Sequence, residues 1–261
     1  MSTGMSFDPD LSLRLEAQYT RPAMVLRRAK ALEIASPKLG EDVLDIGCGP
    51  GFLLADLAAG VGEEGSVLGI DQSEAMISLA SRRCQEAKQA RIEIGDAIAI
   101  QSDDACFDLV VSTQVLEYVA EIDRALCEIA RVLRPGGRAT LLATDWRSLA
   151  WYSSDESRMD RMLAAWEEHL AHPALPRTLG RRLEEVGLRV RRLERHSILE
   201  RADDRTGYSG MLLGGIRGFA PGRQGVTKEE AKEWAEEQEA LRASGAFHFS
   251  LGQYFFDVER A

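Results

Sequence analysis

The chain has 261 residues, of which 45% are apolar and 28% are charged, a composition typical of a folded protein with one or two domains. Its net charge of −10 disfavours a nucleic-acid phosphate backbone as the main partner. No apolar run approaches the roughly 20 residues of a membrane span, and residues 1–10 lack the pattern of a signal peptide. The four scattered cysteines form no Cys-x-x-Cys pair, so we expect reduced thiols in a cytoplasmic protein without a metal site.

The apolar spacing alternates between the helical and the strand period along the chain. In the first half it predicts a helix over 22–34, a strand over 41–46, a helix over 52–59, a strand over 67–70, a helix over 76–87, strands over 91–94 and 107–112, a helix over 122–133 and a strand over 138–144. In the second half it predicts helices over 159–170 and 179–186, a strand over 188–199, helices over 208–219 and 227–241, and a strand over 247–258. This order predicts an α/β fold with a doubly wound, Rossmann-like sheet.

A glycine loop, Asp45-Ile46-Gly47-Cys48-Gly49-Pro50-Gly51, follows the first predicted strand. A loop of this kind before a helix presents backbone N–H groups to a ligand, and its glycines permit positive φ. Dinucleotides and S-adenosylmethionine are both bound in this way. The dinucleotide pattern needs a third glycine where Phe52 stands, so the spacing favours S-adenosylmethionine.

Two acids stand at the ends of the next two predicted strands, and ligands of such sheets lie at those ends. Asp71 is therefore predicted to accept hydrogen bonds from the ribose hydroxyls, and Asp96 from the adenine amino group. The structural alternatives are a helix cap for Asp71 and a turn residue for Asp96.

These motifs, together with the strand over 107–111 and the block Leu133-Arg134-Pro135-Gly136-Gly137, resemble the class I S-adenosylmethionine-dependent methyltransferases, nearest the ubiquinone and menaquinone branch. The resemblance implies a seven-stranded sheet whose last strand is antiparallel, and a product S-adenosylhomocysteine. The residues that it implies, or that the motifs predict, for cofactor binding are Asp45, Gly47, Gly49, Gly51, Asp71, Gln72, Asp96, Ala97, Gln114 and Tyr19. Many relatives have His where this chain has Tyr118, which leaves the acid–base role of that position open.

The predicted domain organisation has three parts. Residues 1–36 form an N-terminal helical segment that closes over the cofactor, and residues 37–261 form the methyltransferase domain. A helical insertion at about 204–243 is too long for a simple connection, so we expect it to cap the acceptor. The protein is expected to be a monomer or a homodimer.

Methyl transfer from a sulfonium needs mainly positioning, and a base only if the nucleophile must lose a proton. The candidate catalytic residues are His248, Tyr118 and Asp145, at the ends of predicted strands. The candidate substrate pocket comprises Trp146, Trp151, Tyr118, His248 and Tyr208. The alternatives are ordinary aromatic packing and, for His248, a core histidine. The other histidines, His169, His172 and His196, are predicted to lie at the surface.

The sequence therefore predicts a methyltransferase that acts on a small, aromatic or hydrophobic acceptor such as a quinone or secondary metabolite. The alternative is a protein of this fold that binds the cofactor and catalyses a lyase or pericyclic reaction, or that acts as a binding module. Macromolecular methylation is disfavoured by the acidic charge. It is also disfavoured by Ser112-Thr113-Gln114-Val115, which stands where nucleic-acid and protein amino-methylating relatives carry Asn/Asp-Pro-Pro-Tyr/Phe.

Overall fold

The computed structural model describes residues 18–204 and 207–261. The strands are β1 (Asp42–Ile46), β2 (Ser66–Asp71), β3 (Ala90–Ile94), β4 (Phe107–Thr113), β5 (Leu133–Trp151), β6 (Leu188–Arg201) and β7 (His248–Arg260). The α-helices of the described residues are α1 (Pro22–Ala35), α2 (Phe52–Val61), α3 (Glu74–Arg83), α4 (Ile122–Val132), α5 (Glu156–Glu167), α6 (Pro176–Glu185), α7 (Tyr208–Phe219) and α8 (Lys228–Ser244). None of these helices is long and apolar enough to cross a membrane.

The strands form one sheet in the order β3-β2-β1-β4-β5-β7-β6. Neighbouring strands from β3 to β5 pair in parallel, whereas β7 is antiparallel to both β5 and β6. The predicted seven-stranded sheet with an antiparallel last strand is thus confirmed. The strand order reverses between β1 and β4, which is where ligands bind in doubly wound sheets.

Strand β5 is much longer than the predicted 138–144. Its pairing with β4 shifts between Phe107 and Leu109, so the segment with Pro135 and Gly136 is absorbed as an irregularity. Beyond Asp145 the pairing with β7 shifts again and continues to Trp151. The extension carries Trp151 nine residues beyond Leu142, the last residue of β5 that pairs with β4.

Three apolar clusters surround the sheet. Helices α4 and α6 cover one face through Leu126 and Leu179, and α1 to α3 cover the other through Leu54 and Ala80. A third cluster joins α5, α7 and α8, which we call the helical cap, around the fully buried Trp234. The cap packs on the extended part of β5 and β7.

Candidate functional site

The glycine loop after β1 is shaped by positive φ angles of +70° at Gly47, +53° at Gly49 and +81° at Gly51. A Cβ at Gly51 would lie 2.8 Å from Cα of Ala80, and one at Gly47 would collide with the side chain of Val115. Only glycine satisfies both the backbone angles and these close approaches. The loop therefore presents bare backbone at the switch point of the sheet.

Asp45 lies at the end of β1 with 2% of its surface exposed. Its Oδ2 has no hydrogen-bond partner among the described residues. Burial, together with the charge of Asp71, raises the pKa of Asp45 to about 7. A buried carboxylate oxygen without a partner is costly, so the cradle fits a ligand that brings a cation or a hydrogen-bond donor.

Asp71 closes the loop from the end of β2. Its Oδ2 accepts from the backbone N–H of Gly49 at 3.0 Å, and its Oδ1 accepts from that of Ser73 at 2.9 Å. The N-cap of α3 is Ser73, whose hydroxyl accepts from Met76, so Asp71 is not the helix cap. Each carboxylate oxygen can accept a further hydrogen bond, which fits the two hydroxyls of a ribose.

The turn after β3 lies beside Asp71, since the N–H of Gly95 donates to the carbonyl of Asp71 at 3.0 Å. Oδ1 of Asp96 accepts from the N–H of Ile98 at 3.1 Å, as a turn residue does. Ala97 is buried against the sheet, whereas Gln72 is exposed. The turn with Asp96 and Ala97 thus lies next to Asp71, and the side chain of Gln72 is exposed.

Gln114, in the loop after β4, joins three parts of the chain. Its φ is +57°, and its Oε1 accepts from Nη1 of Arg27 on α1. Its Nε2 donates to Oγ1 of Thr144 at 3.0 Å and to the hydroxyl of Tyr208 at 3.1 Å. The amide therefore links the N-terminal helix, the sheet and the helical cap.

Arg27 is a site residue that the sequence analysis missed. It is 6% exposed, and no carboxylate of the described residues lies within ion-pair distance of it. It lines one cavity together with Tyr19, Asp45, Gly47, Phe52 and Thr113. The one signal in the sequence was a cation within the apolar stripe of the first helix. A buried guanidinium that lacks an anion fits an anionic ligand group.

Tyr19 closes this cavity from the N-terminal side. Its ring stacks on that of Phe52, with centroids 5.8 Å apart and planes 2° from parallel. Its hydroxyl lies 3.4 Å from where a Cβ of Gly49 would stand. Phe52 thus does more than replace a glycine, because it supports the residue that covers the loop.

Glu117 is a second residue that the motif analysis did not single out for the site. It is fully buried, and burial raises its pKa to about 7. Its Oε1 accepts from the N–H of Thr144 at 3.3 Å, whereas its Oε2 has no partner among the described residues. Glu117 holds the loop after β4 against the middle of β5.

Two of the predicted acceptor-site residues, Asp145 and Trp146, lie near the edge of the sheet, but their side chains contact other residues of the protein. Oδ2 of Asp145 accepts from Nε of Arg177 at 2.9 Å. Trp146 packs edge-on against Trp166, with centroids 6.1 Å apart. Tyr118, at 42% exposure, remains more open.

His248 and Trp151 are not brought together with the glycine loop. Both line a second cavity of about 550 Å³ with Ala150, Tyr152 and Ala246, beyond the shift in β5–β7 pairing. His248 is exposed, which rules out the core alternative, and it shares no cavity with the loop residues. The long β5 extension causes this separation.

The sheet order and the cradle at its switch point fit the class I S-adenosylmethionine-dependent methyltransferase fold that the sequence resembles. Residues 44–141 match the family model described as a methyltransferase domain, which confirms the predicted family and its cofactor. A demethylmenaquinone methyltransferase from Lactococcus lactis is 35% identical over 129 residues, which are 49% of this chain and 51% of that protein. The chain therefore lies near the quinone methyltransferase branch.

Solved structures show the same fold over most of the chain. A SAM-dependent methyltransferase from Aquifex aeolicus has a TM-score of 0.56 at 19% identity and covers 95% of this chain and 99% of that one. The [4+2]-cyclase SpnF has a TM-score of 0.59 at 19% identity and covers 91% and 81%. The chain spans about half of the length of the curated relatives that it matches.

Proposed function

We propose that this protein transfers the methyl group of S-adenosylmethionine to a small molecule. The observation that carries the proposal is the unpartnered, buried carboxylate of Asp45 within a loop of three positive-φ glycines. A carboxylate in that position is costly without a ligand. The ammonium group of the cofactor's methionine part would satisfy it.

The charges around the loop support this cofactor as a whole. Asp45 would bind the ammonium group and Arg27 the carboxylate, so that two buried, opposite charges match the zwitterionic end of the ligand. Asp71 would hold the ribose hydroxyls, and Asp96 and Ala97 would face adenine. When bound, the cofactor supplies an activated methyl group, and the chain's own contribution is to orient it and exclude water.

We propose an aromatic or hydrophobic acceptor, enclosed by the helical cap between the loops after β4 and β5. The relative named demethylmenaquinone methyltransferase favours a hydroxylated bicyclic aromatic compound such as a naphthoquinol. The net charge of −10 supports a small acceptor over a nucleic acid. All four cysteines are free, which supports a reducing, cytoplasmic location.

Cofactor binding is tested by calorimetry with S-adenosylhomocysteine on Asp71→Ala. Loss of two hydrogen bonds to a charged group, worth about 1.5–3 kcal/mol each, predicts an affinity at least about 100-fold weaker. The control is Asp160→Ala, on the exposed side of α5. Equal affinities of both variants would refute the ribose assignment.

The transfer step is tested with methyl-labelled S-adenosylmethionine and a panel of naphthoquinols, catechols and phenols, followed by mass spectrometry. Label in an acceptor supports the proposal. The [4+2]-cyclase fold neighbour makes the alternative concrete: a protein that binds the cofactor and changes an acceptor without adding mass. That outcome would mean that the protein rearranges the acceptor and does not methylate it.

A further inference from the structure

His169 lies just after α5 and is only 5% exposed, so the prediction that it is a surface residue is wrong. Four aromatic rings surround it: Trp166 at 4.1 Å between centroids, Phe219 at 5.4 Å, Tyr118 at 5.7 Å and Trp146 at 6.2 Å. The imidazole is therefore a polar group inside an aromatic cluster.

The tautomer of His169 follows from its hydrogen bond. Its Nδ1 faces the carbonyl oxygen of Trp166. A carbonyl only accepts, so Nδ1 carries the hydrogen and Nε2 keeps its lone pair. Nε2 is buried and has no hydrogen-bond partner among the residues that the structure describes. The side chain thus offers one unused acceptor.

The charge state of His169 depends on few groups. Burial lowers its pKa, and the nearby charge of Arg223, in the loop after α7, lowers it further, although the Trp166 carbonyl opposes both. Of the four rings that pack on it, only Tyr118 is titratable. His169 is therefore neutral near pH 7 and able to take up a proton.

The segment with His169 is fixed to the ligand edge of the sheet. The N–H of His172 donates to the carbonyl of Glu117, after β4, at 2.9 Å. The N–H of Trp146, in β5 just beyond the part that pairs with β4, donates to the carbonyl of Pro173 at 2.8 Å. Both anchors stand at the carboxyl ends of parallel strands, where the acceptor is expected.

Tyr118 connects this cluster to the cofactor cradle. Burial of its hydroxyl end raises the pKa of Tyr118 well above 10, Glu117 and the hydroxyls of Tyr208 and Tyr19 raise it further, and Arg27 lowers it. Its ring contacts His169, so Tyr118 stands between the imidazole and the residues around the glycine loop.

We infer that His169 is the proton acceptor for a hydroxylated aromatic acceptor, and this inference rests on the proposed methyl transfer. The acceptor hydroxyl gives its proton to Nε2 as the acceptor's nucleophilic atom forms a bond to the methyl carbon. The C–S bond breaks and its electron pair stays on sulfur, which becomes the neutral thioether. The resulting imidazolium returns its proton to solvent.

The first test uses the wild-type protein, labelled with ¹⁵N in histidine and saturated with S-adenosylhomocysteine. Addition of 2-methyl-1,4-naphthohydroquinone is expected to shift the Nε2 resonance of His169, because the probe's hydroxyl donates to it. Binding of S-adenosylhomocysteine with no shift of Nε2 overturns the inference. Failure to bind S-adenosylhomocysteine instead refutes the proposed function.

The second test compares His169→Gln and His169→Asn with the control His172→Asn, with 1,4-naphthohydroquinone as acceptor. The His169 variants are expected to lose about 10²–10⁴-fold in kcat and to bind S-adenosylhomocysteine as the wild type does. In the wild type, kcat is expected to fall with pH below 6.5, because the pKa of His169 is lowered. This acid limb should be absent from the pH profiles of the two His169 variants. A kcat within threefold of the wild type, or an unchanged acid limb, overturns the inference.

Discussion

At the scale of single residues, the proton on Asp45 links stability to binding. Its pKa of about 7, against an ordinary 3.8, means that the folded protein favours the protonated form. The contribution of Asp45 to the free energy of unfolding is therefore greatest below pH 4. It falls as the pH rises towards 7, by an amount of order 2–4 kcal/mol. The cofactor's ammonium group would favour the ionised form.

We expect Asp45→Asn to abolish both effects. Urea unfolding should show that the variant gains stability over the wild type at pH 8 and not at pH 4. Calorimetry should show that wild-type affinity for S-adenosylhomocysteine rises from pH 6 to pH 8, whereas the variant binds weakly at both. A wild-type affinity that does not change with pH would contradict this assignment.

The matched control is Asp42→Asn at the other end of β1. The hydroxyl of Ser66 and the guanidinium of Arg134 outweigh burial and lower the pKa of Asp42. Its contribution to stability is therefore lost as the pH falls, which is the opposite sign to Asp45. The two variants on one five-residue strand separate a binding carboxylate from a structural one.

Residues of the site differed in how well the sequence predicted them. The loop glycines were predicted because a local motif requires their backbone geometry, and Asp71 was predicted because it ends the next strand. Arg27 and His169 were missed because each owes its role to partners far along the chain, such as Gln114 for Arg27 and Tyr118 for His169. No periodicity in α1 or α5 reports such contacts.

At the scale of elements, the helical cap depends on how α8 begins. Thr227 and Glu230 form a complete capping box, with the Thr227 hydroxyl bonded to the N–H of Glu230 and the Glu230 carboxylate to the N–H of Thr227. Thr-x-x-Glu before an apolar stripe is the sequence signature of such a box. The helix then buries Trp234 at the centre of the cap.

We expect Thr227→Ala to destabilise the protein by about 1 kcal/mol, because the first turn of α8 loses a side-chain acceptor. Urea unfolding measures the change. Thr227→Ser keeps the hydroxyl and should retain most of the stability. If both variants unfold alike, the loss comes from the methyl group rather than from the cap.

The extension of β5 is the part of the fold that local sequence signals did not predict. Pro135, Gly136 and Gly137 are normally signals that end a strand or helix, so the strand was predicted to begin at residue 138. Pairing with β4 and β7 overrides that local preference. The same extension moved Trp151 and His248 away from the cradle, an outcome that only long-range pairing determines.

At the scale of the whole molecule, the polar contacts of Gln114 connect ligand binding to the helical cap. Arg27 lies on α1, whereas Tyr208 lies 181 residues further along at the start of α7. Both residues form a hydrogen bond with this one amide. Tyr208 begins α7, whose first N–H groups are held by the buried carboxylate of Glu200. A ligand that orders Arg27 and Gln114 should therefore also order α7.

We expect S-adenosylhomocysteine to slow amide hydrogen exchange in Tyr208–Phe219, measured by mass spectrometry of peptides from α7. Tyr208→Phe removes the hydroxyl that accepts from Gln114, so in this variant the ligand should still bind while the protection of α7 is lost. Tyr152→Phe, at an exposed position, should behave as the wild type does. Equal protection of α7 in the Tyr208 variant would mean that the coupling runs through apolar packing, for which Met24 joins the cavity to the cap cluster.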